Sequence, residues 1–179
     1  KLVIQSNTEL PEDVLSAFEK SLEIEESKIG IQVLKDLIEN AQIAYREKVP
    51  ICQDTGMAIL FLEIGQEVQI AGGELHKALM EGVRQGYQEG YFRKSTLDPI
   101  ERVNFGDNTP PVVHIDIVPD DKLKINVMTK GFGGEMMSQV KLFAPFVGME
   151  GIKDEVVRIV SEAGANPCPP IIVGIGIGG

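Results

Sequence analysis

The sequence predicts an α+β fold, with a helical N-terminal layer packed on a mixed or antiparallel sheet and further helices around it. Three observations predict it. Residues 8–48 place apolar side chains at helical spacing and show no strand pattern. Residues 57–129 alternate short β-branched runs with one long helical pattern. Glycine- and proline-rich turns separate these runs, and no long linker, low-complexity tract or repeat of the roughly 20–50-residue period of solenoids interrupts them.

The elements follow in order. Thr8 to Leu22 reads as a helix: Pro11 suits its first turn, Glu12 and Asp13 suit its positive end, and Val14, Leu15, Phe18 and Leu22 form one apolar stripe. Ser27 to Lys48 reads as a longer helix, with Ile31, Leu34, Ile38, Ala41 and Tyr45 on one side, Leu37 widening the stripe and Pro50 ending it. Met57 to Ile64 is a short apolar run expected to be a buried strand. Gly73 to Phe92 is expected to be helical, with Leu75, Leu79, Val83 and Tyr87 on one side. Gly82, Gly86 and Gly90 recur in it every fourth residue, each costing about 1 kcal/mol against alanine, which points to close packing. Val112 to Val118 and Leu123 to Thr129 read as two strands paired through the turn Val118 to Asp121. A short helix is expected over Glu135 to Phe143, a longer one over Ile152 to Ala163 stopped by Gly164, and a last strand over Pro170 to Ile177.

Length and composition limit the function classes. At 179 residues, one domain covering 1–179 is expected, its helical part at about 8–48, and a chain of this size buries roughly 70% of the surface its unfolded form exposes. Two cysteines are too few for a secreted disulfide scaffold and point to a reducing, cytoplasmic setting, although a pairing between them stays open. A net charge of −10 argues against nucleic acid or an anionic membrane as the main partner. No apolar run approaches the ~20 residues of a membrane span.

Four constellations could carry chemistry, and each has a plainer alternative. Cys52-Gln53-Asp54-Thr55-Gly56 places a thiol on a turn behind Pro50. A deprotonated thiol there suits a metal. Gln53 offers a donor and an acceptor to a substrate carboxylate, and Asp54 suits a general base or a group that orients one. The alternative is a cysteine filling a turn beside an aspartate that hydrogen-bonds its own backbone. Cys168 stands among Pro167, Pro169 and Pro170, whose rings hold it in one place; the alternative is a rigid connector. Arg93 suits a two-pronged carboxylate contact, or is a solvated cation at a helix end. Lys130-Gly131-Phe132-Gly133-Gly134-Glu135 is either an anion-binding turn or a plain connection. It lacks the dinucleotide and P-loop spacings, and the Gly174 to Gly179 run is equally weak as a phosphate loop. His114 reads as a structural residue and His76 as a surface one. A four-ligand zinc site is two ligands short.

Taken together, these segments resemble the iron–sulfur (class I) fumarate hydratases, in particular the N-terminal or α part of the fumarase and L-tartrate dehydratase group. The resemblance is carried by Pro50 to Gly56 (Pro-Ile-Cys-Gln-Asp-Thr-Gly), Lys130 to Ser138 (Lys-Gly-Phe-Gly-Gly-Glu-Met-Met-Ser), Asn166 to Pro170 (Asn-Pro-Cys-Pro-Pro) and Gly174 to Gly179. It implies a hydro-lyase that reversibly hydrates fumarate to L-malate, a tricarboxylic acid cycle reaction, with L-tartrate dehydration as the alternative. It implies a 4Fe–4S cluster held by three cysteines, whose open iron acts as a Lewis acid on the leaving hydroxyl. Cys52 and Cys168 match two of the ligands, Gln53 and Asp54 match polar groups beside the substrate, Arg93 matches a carboxylate-binding arginine, and Gly133 matches a loop glycine whose backbone meets the substrate. The family's third cysteine lies beyond the Gly-Ile-Gly-Gly segment and has no counterpart here. The resemblance therefore implies a C-terminally truncated piece of a larger subunit, whose catalytic base and remaining ligands come from a C-terminal domain or β subunit. In this reading the piece is inactive alone and belongs to an oligomer. The family often reads Lys-Gly-Gly-Gly-Ser-Glu-Asn at the Lys130 loop, so Phe132, Gly134 and Met136 depart from it. A reading from a different class is a metal-free docking module, which needs no thiols on proline-bounded bends.

Overall fold

The computed structural model describes residues 1–178 of the chain. Gly179, the last glycine of the tail motif, lies outside the described residues. The chain divides into two compact units, the first Lys1–Lys130 and the second beginning at Gly131.

In the first unit, α1 (Leu2–Thr8), α2 (Glu12–Ile24) and α3 (Lys28–Glu47) precede β1 (Met57–Gly65), α4 (Leu75–Glu89), β2 (Val112–Val118) and β3 (Leu123–Lys130). The helix expected from Thr8 is α2, which begins after Pro11; Thr8 instead closes α1, a helix the sequence reading did not expect. Ser27 caps α3, its hydroxyl accepting the Gly30 N–H at 3.3 Å, while Lys48 leaves the helix in the left-handed conformation. Ala44, not Tyr45, fills the buried side of α3; Tyr45 is exposed and carries the Lys48 ammonium 4.3 Å above its ring.

The sheet is mixed, as expected, but its order is β2-β1-β3. β1 pairs parallel with β2 and antiparallel with β3, in registers that place Leu62 beside both Ile115 and Ile125. The hairpin expected between β2 and β3 does not form. The turn after Val118 instead crosses the end of β1: Gly65 N–H donates to Lys122 O at 2.8 Å and Gln66 N–H to Val118 O at 2.9 Å. The physical reason is burial. Ala58, Leu60 and Leu62 of β1 are almost fully buried, and a strand flanked on both sides satisfies its backbone without water. Those residues pack with Val3 of α1, Val83 and Tyr87 of α4, and Phe92. Gly86 lets α1 approach α4, since a β-carbon there would meet the Val3 side chain at 2.7 Å. On the other face of the sheet Phe61 and His114 stack at 5.0 Å.

The second unit holds α5 (Phe132–Glu135), a 3-10 turn (Pro145–Val147) and α6 (Gly148–Ala163). The helix expected over Glu135 to Phe143 is absent; only the four residues of α5 are helical in this region. Met136, Val140 and Leu142 are exposed, so no apolar face is buried that could repay helix formation. α6 matches its expected stripe, with Ala163 buried and Gly164 at positive φ after it. The strand expected over Pro170 to Ile177 is also absent: the segment is without regular structure and Ile172, Ile175 and Ile177 are exposed, and among the described residues the second unit holds no other strand to complete a ladder. Among the described residues no helix is long and apolar enough to cross a membrane.

Candidate functional site

The Cys52 turn is mounted at both ends. On the near side, Ile51 N–H donates to Asn7 O at 2.9 Å, and the Asn40 Nδ2 of α3 donates to Ile51 O at 2.8 Å. On the far side, the Tyr87 hydroxyl of α4 donates to Thr55 O at 2.7 Å and Gly56 O at 3.1 Å. Thr55 and Gly56 are buried, whereas Cys52 and Gln53 between the anchors are exposed. The result is a fixed base carrying a solvent-facing tip. Within the tip, Cys52 Sγ donates to Gln53 Oε1 at 3.0 Å, and Asp54 Oδ1 accepts the Gly56 N–H at 3.0 Å. Asp54 therefore forms the backbone turn set beside its chemical role in the sequence reading. Gly56, at φ +60, turns its carbonyl inward, where it accepts the Tyr87 hydroxyl.

Arg93 joins this turn through its backbone. Thr55 Oγ1 donates to Arg93 O at 2.6 Å across 38 positions of sequence. The Arg93 side chain is exposed and, among the described residues, its guanidinium has no ion pair or hydrogen bond. Asn108 supplies the third tie: its Oδ1 accepts Thr96 N–H at 2.8 Å and its Nδ2 donates to Gly56 O at 3.0 Å. The first unit thus gathers Cys52, Gln53, Asp54 and Arg93 around one buried hydrogen-bonded base. The phenol of Tyr87 in that base is pushed up to about 12, first by burial and then by the nearby Asp54 charge. By contrast, the shallow cavity of about 190 Å³ lined by Lys77, Met80, Glu81, Arg84, Asp107 and Thr109 contains none of these residues, and its Arg84 is already paired with Glu81 at 2.6 Å.

The second unit gathers the other two expected residues. Cys168 is exposed, with φ +59, and its N–H donates to Ala165 O at 3.1 Å. Gly133, expected in a loop, lies within the short helix α5, and a β-carbon there would stand 3.9 Å from Asn166 O, so α5 lies beside the bend that carries Cys168. That spacing is ordinary contact, and space alone does not demand glycine there. Both cysteines are free and exposed, not sealed among apolar side chains. Their chemistry suits an iron–sulfur cluster, which takes thiolates. Among the described residues, no three His, Cys, Asp or Glu side chains gather as a metal site.

The residues that escaped the sequence reading are the mounts. Asn7, Asn40, Thr55 and Asn108 carry no local signal, because each acts on a segment between 11 and 52 positions away or through a backbone atom. Tyr87 was visible only as one apolar position of a helical stripe.

A family model described as fumarate hydratase (Fumerase) matches residues 1–179. A provisionally named L(+)-tartrate dehydratase subunit alpha of Methanocaldococcus jannaschii is 42% identical over 178 residues, covering 95% of this chain and 62% of that protein. An L(+)-tartrate dehydratase subunit alpha of Escherichia coli is 32% identical over 175 residues, covering 96% of this chain and 57% of its own length. The chain thus spans about three-fifths of the curated relatives it matches.

Proposed function

Because the chain belongs to the iron–sulfur fumarate hydratase family, we propose that it supplies part of the active site of a hydro-lyase acting on a four-carbon dicarboxylate. The observation that carries this reading is the Thr55–Arg93 hydrogen bond. It ties the turn bearing a free thiol, an amide and a carboxylate to the turn bearing a guanidinium that is unpaired among the described residues.

In this reading Cys52 and Cys168 are two thiolate ligands of a 4Fe–4S cluster, and the third comes from polypeptide outside this sequence. When bound, the cluster supplies an open iron that acts as a Lewis acid toward the substrate hydroxyl. The residues of this chain bind and orient. Arg93 holds one carboxylate by its planar fork. Gln53, at the tip of the mounted turn, offers amide hydrogens to a second polar group. Asp54, fixed by the Gly56 N–H, holds the turn and presents its charge beside the substrate, as a base or as the group that orients one. Gly133 presents backbone to the substrate. The base of hydrogen bonds beneath the tip preorganises these groups, so they need not be ordered when substrate arrives. A β subunit or C-terminal domain completes the site, and the assembly is an oligomer working in the cytoplasm.

The substrate pair is fumarate and L-malate. L(+)-tartrate is the second reading, favoured by the names of relatives 42% and 32% identical to this chain. The test is anaerobic reconstitution of the complete enzyme with iron and sulfide, followed by assays of water loss from L-malate and from L(+)-tartrate. Turnover of either supports the hydro-lyase, and the larger kcat/KM names the substrate. Turnover of neither by a folded enzyme that carries its cluster overturns the reading.

A further inference from the structure

We propose that Asn108 is a positioning residue that sets the cysteine turn against the arginine turn; the proposal rests on the reading of those turns as one substrate site. Asn108 is only 1% exposed and sits at φ +60, a left-handed conformation that asparagine adopts more readily than most residues. Its carboxamide has one donor side and one acceptor side, and the two are spent on different segments. Oδ1 accepts the backbone N–H of Thr96, three residues after Arg93, and Nδ2 donates to the carbonyl of Gly56, two residues after Asp54. The carboxamide keeps its acceptor and its donor on separate atoms, so one side chain bonds both segments at once.

The arginine turn depends on this tie, because its own hydroxyls do not hold it. Ser95 Oγ and Thr96 Oγ1 are buried without a hydrogen-bond partner. Apart from its main-chain neighbours, the turn is fixed by Thr55 at Arg93 O, by Asn104 at Lys94 O and by Asn108 at Thr96 N–H. Of these, Thr55 and Asn108 reach the cysteine turn, and Asn108 does so from a third segment. The Gly56 carbonyl that Asn108 holds is also the one Tyr87 holds, so the amide locks the spacing of the two turns to the α4 side of the core. Asn108 touches none of the expected reacting groups directly and acts through Gly56 and Thr96.

The test uses two variants of the complete enzyme. Asn108→Asp keeps the size and the acceptor but turns the donor into a charge facing the Gly56 carbonyl. Asn108→Gly accepts φ +60 without strain and removes both bonds, so it serves if the aspartate variant fails to fold. Amide hydrogen exchange is read by peptide, together with KM and kcat for L-malate and L(+)-tartrate. The expected result is faster exchange, by about tenfold or more, in peptides covering 52–56 and 93–97, with β1 and α3 unchanged. KM rises by about tenfold while kcat changes far less. Unchanged exchange in both turns overturns the proposal. So does a uniform rise across the first unit, which marks an ordinary stabilising residue, and so does loosening of both turns with KM unmoved. If the unsubstituted enzyme turns over neither acid, the hydro-lyase reading has failed, and the exchange pattern alone decides whether Asn108 sets the two turns.

Discussion

Gly65, the last residue of β1, lies against the carbonyl of Asp120: a β-carbon at Gly65 would stand 2.4 Å from that oxygen and 2.8 Å from Lys122 N. This contact is what lets the β2–β3 link pass over the end of β1 and so put the most apolar strand in the middle. Gly65→Ala should push the link away and cost about 1–3 kcal/mol, because backbone cannot yield as a flexible side chain can. Gly82→Ala is the internal contrast. Among the described residues, no atom outside the adjoining backbone of its own helix lies within 4 Å of a β-carbon there, on an exposed helix position, so the change should stabilise the chain by about 0.5–1 kcal/mol. Urea denaturation of both variants checks the pair; equal effects would remove the crossing as the explanation.

Tyr87 predicts an alkaline loss of stability. In the unfolded chain a tyrosine ionises near pH 10, whereas the buried Tyr87 keeps its proton to about 12. Between those values the folded state binds more protons than the unfolded one, so stability falls as pH rises. Its contribution is complete below about pH 10 and declines by about 1.4 kcal/mol per unit above it. Tyr87→Phe should flatten this dependence. At neutral pH it should cost about 1–3 kcal/mol, since the Thr55 and Gly56 carbonyls lose a buried donor. Denaturation curves for both proteins at neutral and alkaline pH decide it.

Thr55→Val keeps shape and burial but removes the hydroxyl that reaches Arg93 O. It should lower stability by about 1 kcal/mol and raise KM for the dicarboxylate more than it lowers kcat, because the arginine turn loosens while the thiols stay. Thr55→Ser restores the donor and should recover most of the KM. A valine variant with wild-type KM would detach Arg93 from the site.

How far the sequence could be read depends on whether an element's determinants are local. α3 was legible because its cap Ser27, its stripe and Pro50 all lie within the segment. β1 was legible as a run of apolar residues. α1 was not: seven residues give one turn of stripe too few, and Thr8 resembled the start of the next helix. The strand order was hidden because Pro119-Asp120-Asp121 suits a hairpin, and only the fold of β1 beneath it makes it a crossing. Pro170 to Ile177 has strand composition, but composition does not supply a neighbouring strand. The site divides the same way. Cys52, Gln53, Asp54, Arg93, Gly133 and Cys168 are proposed from residue type and motif, while Thr55, Tyr87 and Asn108, which hold the turns of the first four, became visible only through contacts distant in sequence.

The most direct test of the central claim is iron and sulfide content, with the visible absorption of a cluster, in the anaerobically reconstituted complete enzyme and in its Cys52→Ser and Cys168→Ser variants. The account predicts a brown protein with a full cluster in the unsubstituted enzyme, and loss or marked depletion of iron in each variant while the fold remains, because a thiolate ligand is removed outright. A folded variant of either cysteine that retains full iron, sulfide and colour would contradict it.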